Sequence, residues 1–178
     1  MQILPRTLQC VTFLATWILF CALPVSASAG DLRENAFFKA LEGTWKGEGL
    51  GEDQEGKEFD LKGKIKAGFT KDGSMFTIDG SLIFNEMELE YQWQYTEHSI
   101  EGLYSAKSIS ANGDETLFDA SVDETSLFAR LTQTSGLSSN PRLEIEKKIV
   151  EGKYQTKVLI IDPSGDTTFT AELKFEKE

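Results

Sequence analysis

The chain has 178 residues and a formal net charge of −11 at neutral pH, from 29 acidic and 18 basic side chains, with a single histidine, His98. Its lysines alternate with glutamate and aspartate, which argues against phosphate-backbone recognition and so against a nucleic-acid partner. Two cysteines, Cys10 and Cys21, and one histidine form no zinc-ligand cluster and leave few routes to nucleophilic catalysis.

The first element reads as a targeting segment. Thr7 to Gly30 carry no charge, Arg6 and the chain amine supply a positive start, and Val11 to Leu23 is an apolar stretch ended by Pro24. Ala27, Ser28 and Ala29 then give the small-x-small pattern read by signal peptidase. Cleavage after Ala29 is expected, with residues 1–29 a signal peptide and residues 30–178 the mature domain, exported to the periplasm or secreted. A retained anchor is the rival reading for an uncharged run of this length. Thr12, Thr16, Ser26 and Ser28 dilute the hydrophobicity, and Pro24 stands where processing belongs. Lipid modification of Cys21 would need a small residue where Phe20 stands. Both cysteines leave with the segment, so the mature chain has no disulfide and no stable membrane anchor.

From Asp31 to Leu41 the pattern is helical, with Asp31 as cap and Leu32, Phe37 and Leu41 on one face, flanked by Phe38. Gly43 stops the helix and period two begins. Phe59, Leu61, Ile65, Ala67 and Phe69 alternate with Asp60, Lys62, Lys64 and Lys66, so one face is apolar and the other charged. After Lys71-Asp72-Gly73, Phe76, Ile78, Gly80, Leu82 and Phe84 share a face. After Asn85-Glu86, Met87, Leu89, Tyr91, Trp93 and Tyr95 point inward. Further strands are predicted near Ile100 to Ser110, Thr116 to Val122, Ser126 to Gln133, Leu143 to Val150 and Tyr154 to Ile161. A last one carries Phe169, Ala171, Leu173 and Phe175. No helix long enough for a parallel crossover intervenes. The prediction is an all-β fold, a single up-and-down antiparallel β-barrel of about ten strands with a short N-terminal helix; closure removes exposed edges and favours a barrel over a sandwich.

The segment Gly43-Thr44-Trp45-Lys46-Gly47-Glu48-Gly49 follows the helix and opens the first strand. That arrangement resembles the calycin superfamily, the lipocalin-like and fatty-acid-binding-protein-like barrels. The longer form from Leu41 to Gly49 looks most like bacterial lipocalin-like domains of unknown function and nitrobindin-type barrels. The resemblance implies a tryptophan, Trp45, that packs across the closed end and does not bind ligand. Lipocalins stack a late arginine on this tryptophan, where the last strand here offers Lys174 and Lys177. Nitrobindin-type barrels bind haem through a late histidine, and none follows His98; tyrosine ligation by Tyr104 or Tyr154 is the remaining haem route.

Enzymatic chemistry finds little support. Ser99 adjoins His98, but strand neighbours point to opposite faces. Glu86, Glu88 and Glu90 read as an outward polar face, and Asp162 to Asp166 as an ordinary turn and not a calcium loop. What remains is an aromatic inner face, in which Phe59, Phe84, Phe118, Phe128, Phe169 and Phe175 join the rings of the fourth strand. A barrel of this size can enclose one small apolar ligand. The expectation is therefore an exported, non-enzymatic lipocalin-like protein with no resident cofactor. Its partner would be a small hydrophobic ligand, with Phe76, Ile78, Tyr91, Trp93 and Tyr95 lining the site and tyrosine hydroxyls as polar anchors. A filled barrel serving as a structural or interaction module is the alternative, and a haem barrel a second.

Overall fold

The computed structural model describes residues 32–135 and 140–178. The segment read as a signal peptide, its cleavage position and the Asp31 cap lie outside the described residues. A short helix α1 (Ala36–Leu41) is followed by ten strands: β1 (Gly43–Asp53), β2 (Glu58–Phe69), β3 (Phe76–Phe84), β4 (Met87–Glu97), β5 (Leu103–Ser110), β6 (Glu115–Asp123), β7 (Phe128–Gln133), β8 (Arg142–Val150), β9 (Lys153–Ile161) and β10 (Thr167–Lys177). Each strand pairs antiparallel with its neighbours in sequence, and β1 closes on β10, from Trp45 opposite Lys177 to Asp53 opposite Phe169. The result is a closed all-β barrel with no open sheet edge.

The turns explain the simple order. Asn85 and Glu86 both adopt positive φ, 49° and 66°, and Glu151 and Gly152 do the same at 52° and 75°. Paired positive φ values make two-residue loops whose twist matches that of the flanking strands. At β1, the sheet bends tightly enough that a Cβ on Gly49 would lie 1.9 Å from the Glu172 carbonyl oxygen on β10. Only glycine admits that approach.

One end of the barrel is closed by the helix. Leu32, Phe37, Phe38 and Leu41 are all fully buried there. Phe38 stands at the centre of an aromatic cluster, with ring centroids 5.0 Å from Phe76, 5.3 Å from Tyr95 and 5.1 Å from Tyr104. Asn35, itself buried, caps α1 by accepting from the Phe37 amide at 3.0 Å, and its Nδ2 donates to Tyr104 Oη at 2.9 Å. Trp45 Nε1 donates to the Leu41 carbonyl at 2.8 Å, tying the first strand to the plug. Lys177 Nζ lies 5.3 Å from the Trp45 ring centroid, so a lysine makes the cation–π contact over this tryptophan.

Five details differ from the sequence reading. The helix starts at Ala36 on an Asn35 cap, because Leu32 to Glu34 form a turn that carries Leu32 into the core. The strand expected from Ile100 begins at Leu103, and the one expected from Ser126 begins at Phe128. Phe128 faces outward, in register with Asp123 and Lys148 and under the Arg130 guanidinium at 5.9 Å, while the small Ala129 faces in. Met87 and Leu89 keep the inner parity of β4 but are 57% and 48% exposed, since they stand at the rim of the other end. There the rings of Phe59, Phe84 and Phe169 partly cover the mouth, with centroids 5.0 Å and 6.3 Å apart in sequence along the row.

Candidate functional site

Between the plug and the rim the inner faces of the strands leave a hollow of about 200 Å3. Its position follows from strand alternation: inward side chains of β2, β3, β4, β5, β8, β9 and β10 converge on it. Ile65, Ile78, Leu82, Ile145, Val158 and Leu173 form an apolar wall, and Trp93 and Phe175 add rings. Tyr91, Tyr154, Ser108 and Thr156 contribute hydroxyl groups, and Lys147 contributes an amine. Gly80 stands opposite Tyr91, and a Cβ there would come within 2.5 Å of Tyr91 Cζ; the missing side chain makes room for the phenol ring.

Lys147 dominates the electrostatics. It follows Leu143 and Ile145 on the inner face of β8 and is 3% exposed. Its cross-strand neighbours are Ala129 on β7 and Thr156 on β9, both small enough to leave the long side chain room. Lys147 Nζ and Tyr95 Oη are hydrogen-bonded at 2.6 Å, and Nζ lies 4.3 Å from the centroid of the Trp93 ring. It belongs to none of the ion pairs among the described residues. Burial pushes its pKa down to about 7, so near neutral pH the amine is poised between its two forms. Burial also raises the tyrosines, Tyr91 to about 12, and Tyr95 and Tyr154 well above the ordinary phenol value, these two also through the charge of neighbouring phenols. The phenols are therefore neutral throughout the physiological range, and Tyr95 Oη accepts from the Lys147 ammonium.

Of the residues singled out in the sequence, Ile78, Tyr91 and Trp93 line the hollow. Phe76 and Tyr95 lie in the closed-end cluster against Phe38, and Tyr95 reaches the site only through its hydroxyl on Lys147. Lys147, Tyr154, Ser108 and Thr156 were not singled out as lining residues. The available signal was the alternation Leu143, Ile145, Lys147, Ile149, which places the lysine on the apolar face.

Haem does not fit these residues. His98 lies in the β4–β5 turn with its Nδ1 accepting from the Ile100 amide at 3.1 Å. Tyr104 Oη is turned to Asn35 in the plug. Tyr154 does face the hollow, but about 200 Å3 is less than the ~300–1,000 Å3 of cofactor-sized sites. Asp162 accepts from the Ser164 and Asp166 amides of its own turn, and no metal-holding cluster of acidic, histidine or cysteine residues occurs among the described residues. Three larger hollows, of about 580, 610 and 460 Å3, are lined largely by polar and charged side chains such as Lys64, Glu88, Lys62, Glu176 and Arg142. They are surface grooves; the hollow between the strands' inner faces is the more sheltered and the more apolar one.

No family model and no curated protein sequence matches the chain. Its fold is similar to that of Rv2717c from M. tuberculosis, with a TM-score of 0.61 and 9% identity over 78% of this chain and 93% of that one. The S-type phycobiliprotein lyase CPES from Guillardia theta gives 0.60 and 7% over 80% and 90%. A protein of unknown function from the DUF3598 family of Nostoc punctiforme PCC 73102 gives 0.57 and 11% over 79% of this chain and 48% of that one. At these identities the shared property is the fold alone, an antiparallel β-barrel.

Proposed function

We propose that the chain is an exported, non-enzymatic barrel of the calycin type that holds one small, mainly apolar molecule in its interior. The interior hollow of about 200 Å3 carries this reading, since an apolar cavity of ~150 Å3 is enough to take benzene. A filled barrel would have no such space. The rim supports entry of an apolar guest: Met87 and Leu89 are exposed beside the Phe59, Phe84 and Phe169 rings. Export rests on the sequence of residues 1–29, and the calycin assignment on the Gly43-Thr44-Trp45 opening and its place after the helix.

The test is binding of small apolar ligands, read by native mass spectrometry and by Trp93 fluorescence, in the wild type and in Val158→Trp, which fills the hollow. One molecule per barrel is expected, with binding lost in V158W at unchanged fold by far-UV circular dichroism. Equal binding by both proteins, or none by the wild type, would refute the reading. For export, full-length expression should yield secreted protein starting at Gly30.

A further inference from the structure

We infer that Lys147 is the anchor for an acid group, so that the cavity takes a small amphipathic organic acid with its carboxylate inside the barrel. The inference rests on the ligand-binding reading above and names the ligand's chemistry. Its basis is the inventory of polar groups around the hollow. One amine, Lys147, and four hydroxyls, from Tyr91, Tyr154, Ser108 and Thr156, face it, and no carboxylate does. By strand alternation the other charged side chains of inner parity stand at the two ends. Glu97 accepts from the Leu32 amide at 3.1 Å, Lys177 lies over Trp45, and Asp53 accepts from the Glu55 and Lys57 amides. None of these lines the hollow.

A buried cation without an anionic partner is costly, and a protein ordinarily pairs such a group or leaves it neutral. Here the pairing within the protein is with Tyr95 Oη and the Trp93 face, both of which tolerate an ammonium but supply no counter-charge. Two of the three ammonium protons remain for a ligand. A carboxylate entering tail outward, toward the phenylalanine rim, would receive those donors together with neighbouring hydroxyls, while its apolar part met Ile78, Leu82 and Val158. A neutral guest of equal size would leave the amine uncompensated.

Because burial holds the empty-state amine near 7, binding an anion must raise it, and the complex takes up a proton above that pH. The groups facing the amine are Tyr95 and Tyr91 from β4 and Tyr154 and Thr156 from β9, and the phenols stay neutral through this range. Affinity for an acid should therefore be flat just below pH 7 and fall by up to about tenfold per pH unit above it, until the raised pKa of the complex is reached.

The experiment compares size-matched pairs, benzoate with benzyl alcohol and octanoate with octan-1-ol. Calorimetry on the mature protein at pH 6.5 and 8.5, in two buffers of different ionisation enthalpy, gives both affinity and proton uptake. Expected are at least tenfold tighter binding of the acid at pH 6.5, proton uptake at pH 8.5, and a smaller advantage there. In Lys147→Met the acid should lose its advantage and its proton uptake, while the alcohol binds as before and shows the barrel intact. Alcohols binding as tightly as acids to the wild type, or acid binding unchanged in K147M, would overturn this inference and leave the cavity reading standing. Binding of neither class would overturn both.

Discussion

At position 147 the barrel accepts a cost in stability. The Lys147 pKa is about 7 in the folded chain against an ordinary 10.5, so the folded state disfavours the proton that the unfolded chain holds. The penalty is fully present below pH 7, where both states are protonated, and is relieved as pH rises from 7 to 10.5. At the upper end Tyr91, Tyr95 and Tyr154 act oppositely: their raised pKa values mean that stability falls once unfolded tyrosine ionises, above about 10. Urea unfolding of the wild type should thus show stability increasing from pH 7 to roughly 9–10 and decreasing beyond, whereas Lys147→Met should flatten the rise. At neutral pH that variant is expected to be more stable by about 1–4 kcal/mol. A second residue under local strain is Glu86, whose φ of 66° suits glycine. Glu86→Gly should raise stability by roughly 0.5–1 kcal/mol, the relief of a left-handed conformation less the added freedom of the unfolded chain. Thermal melts of the two proteins would show it.

Among the elements, the plug helix is the one whose stability is borrowed. Six residues are too few for a helix to persist by itself, so α1 depends on its cap and on the rings that receive it. Asn35→Ala removes the cap and the donor to Tyr104 Oη, with an expected cost of about 1–3 kcal/mol. Phe38→Ala empties the centre of the cluster and should cost about 3–5 kcal/mol in denaturant unfolding. The strands themselves were legible because inner and outer residues differ in kind at every second position, as from Phe59 to Phe69. The helix start was not, because Leu32 looks helical but is buried by a turn. Phe128 reads as one of the inner aromatic residues, but next to Lys147 the inner layer needs a small residue, and Ala129 takes the place. Lys147 was hidden by the habit of sending charges outward, although Leu143, Ile145 and Ile149 mark its face.

For the whole molecule, closure through β1 and β10 joins the two ends of the described strand order, from Trp45 to Lys177. Removing residues 167–178 would open edges on β1 and β9 and take Leu173 and Phe175 out of the core, uncovering Tyr154, and loss of the near-UV signal of the fold is the expected outcome. Closure by so distant a pair also makes folding slow, on the millisecond to second scale, which stopped-flow refolding would register. The charge layout has a kinetic consequence. The chain carries a net −11, yet the charge that faces the hollow is a cation enclosed at Lys147. An organic acid approaching the mouth first meets a repulsive field, which added salt screens, and only afterwards the shielded ammonium. Raising the ionic strength should therefore accelerate association while leaving dissociation nearly unchanged, so that salt strengthens an ionic contact instead of weakening it.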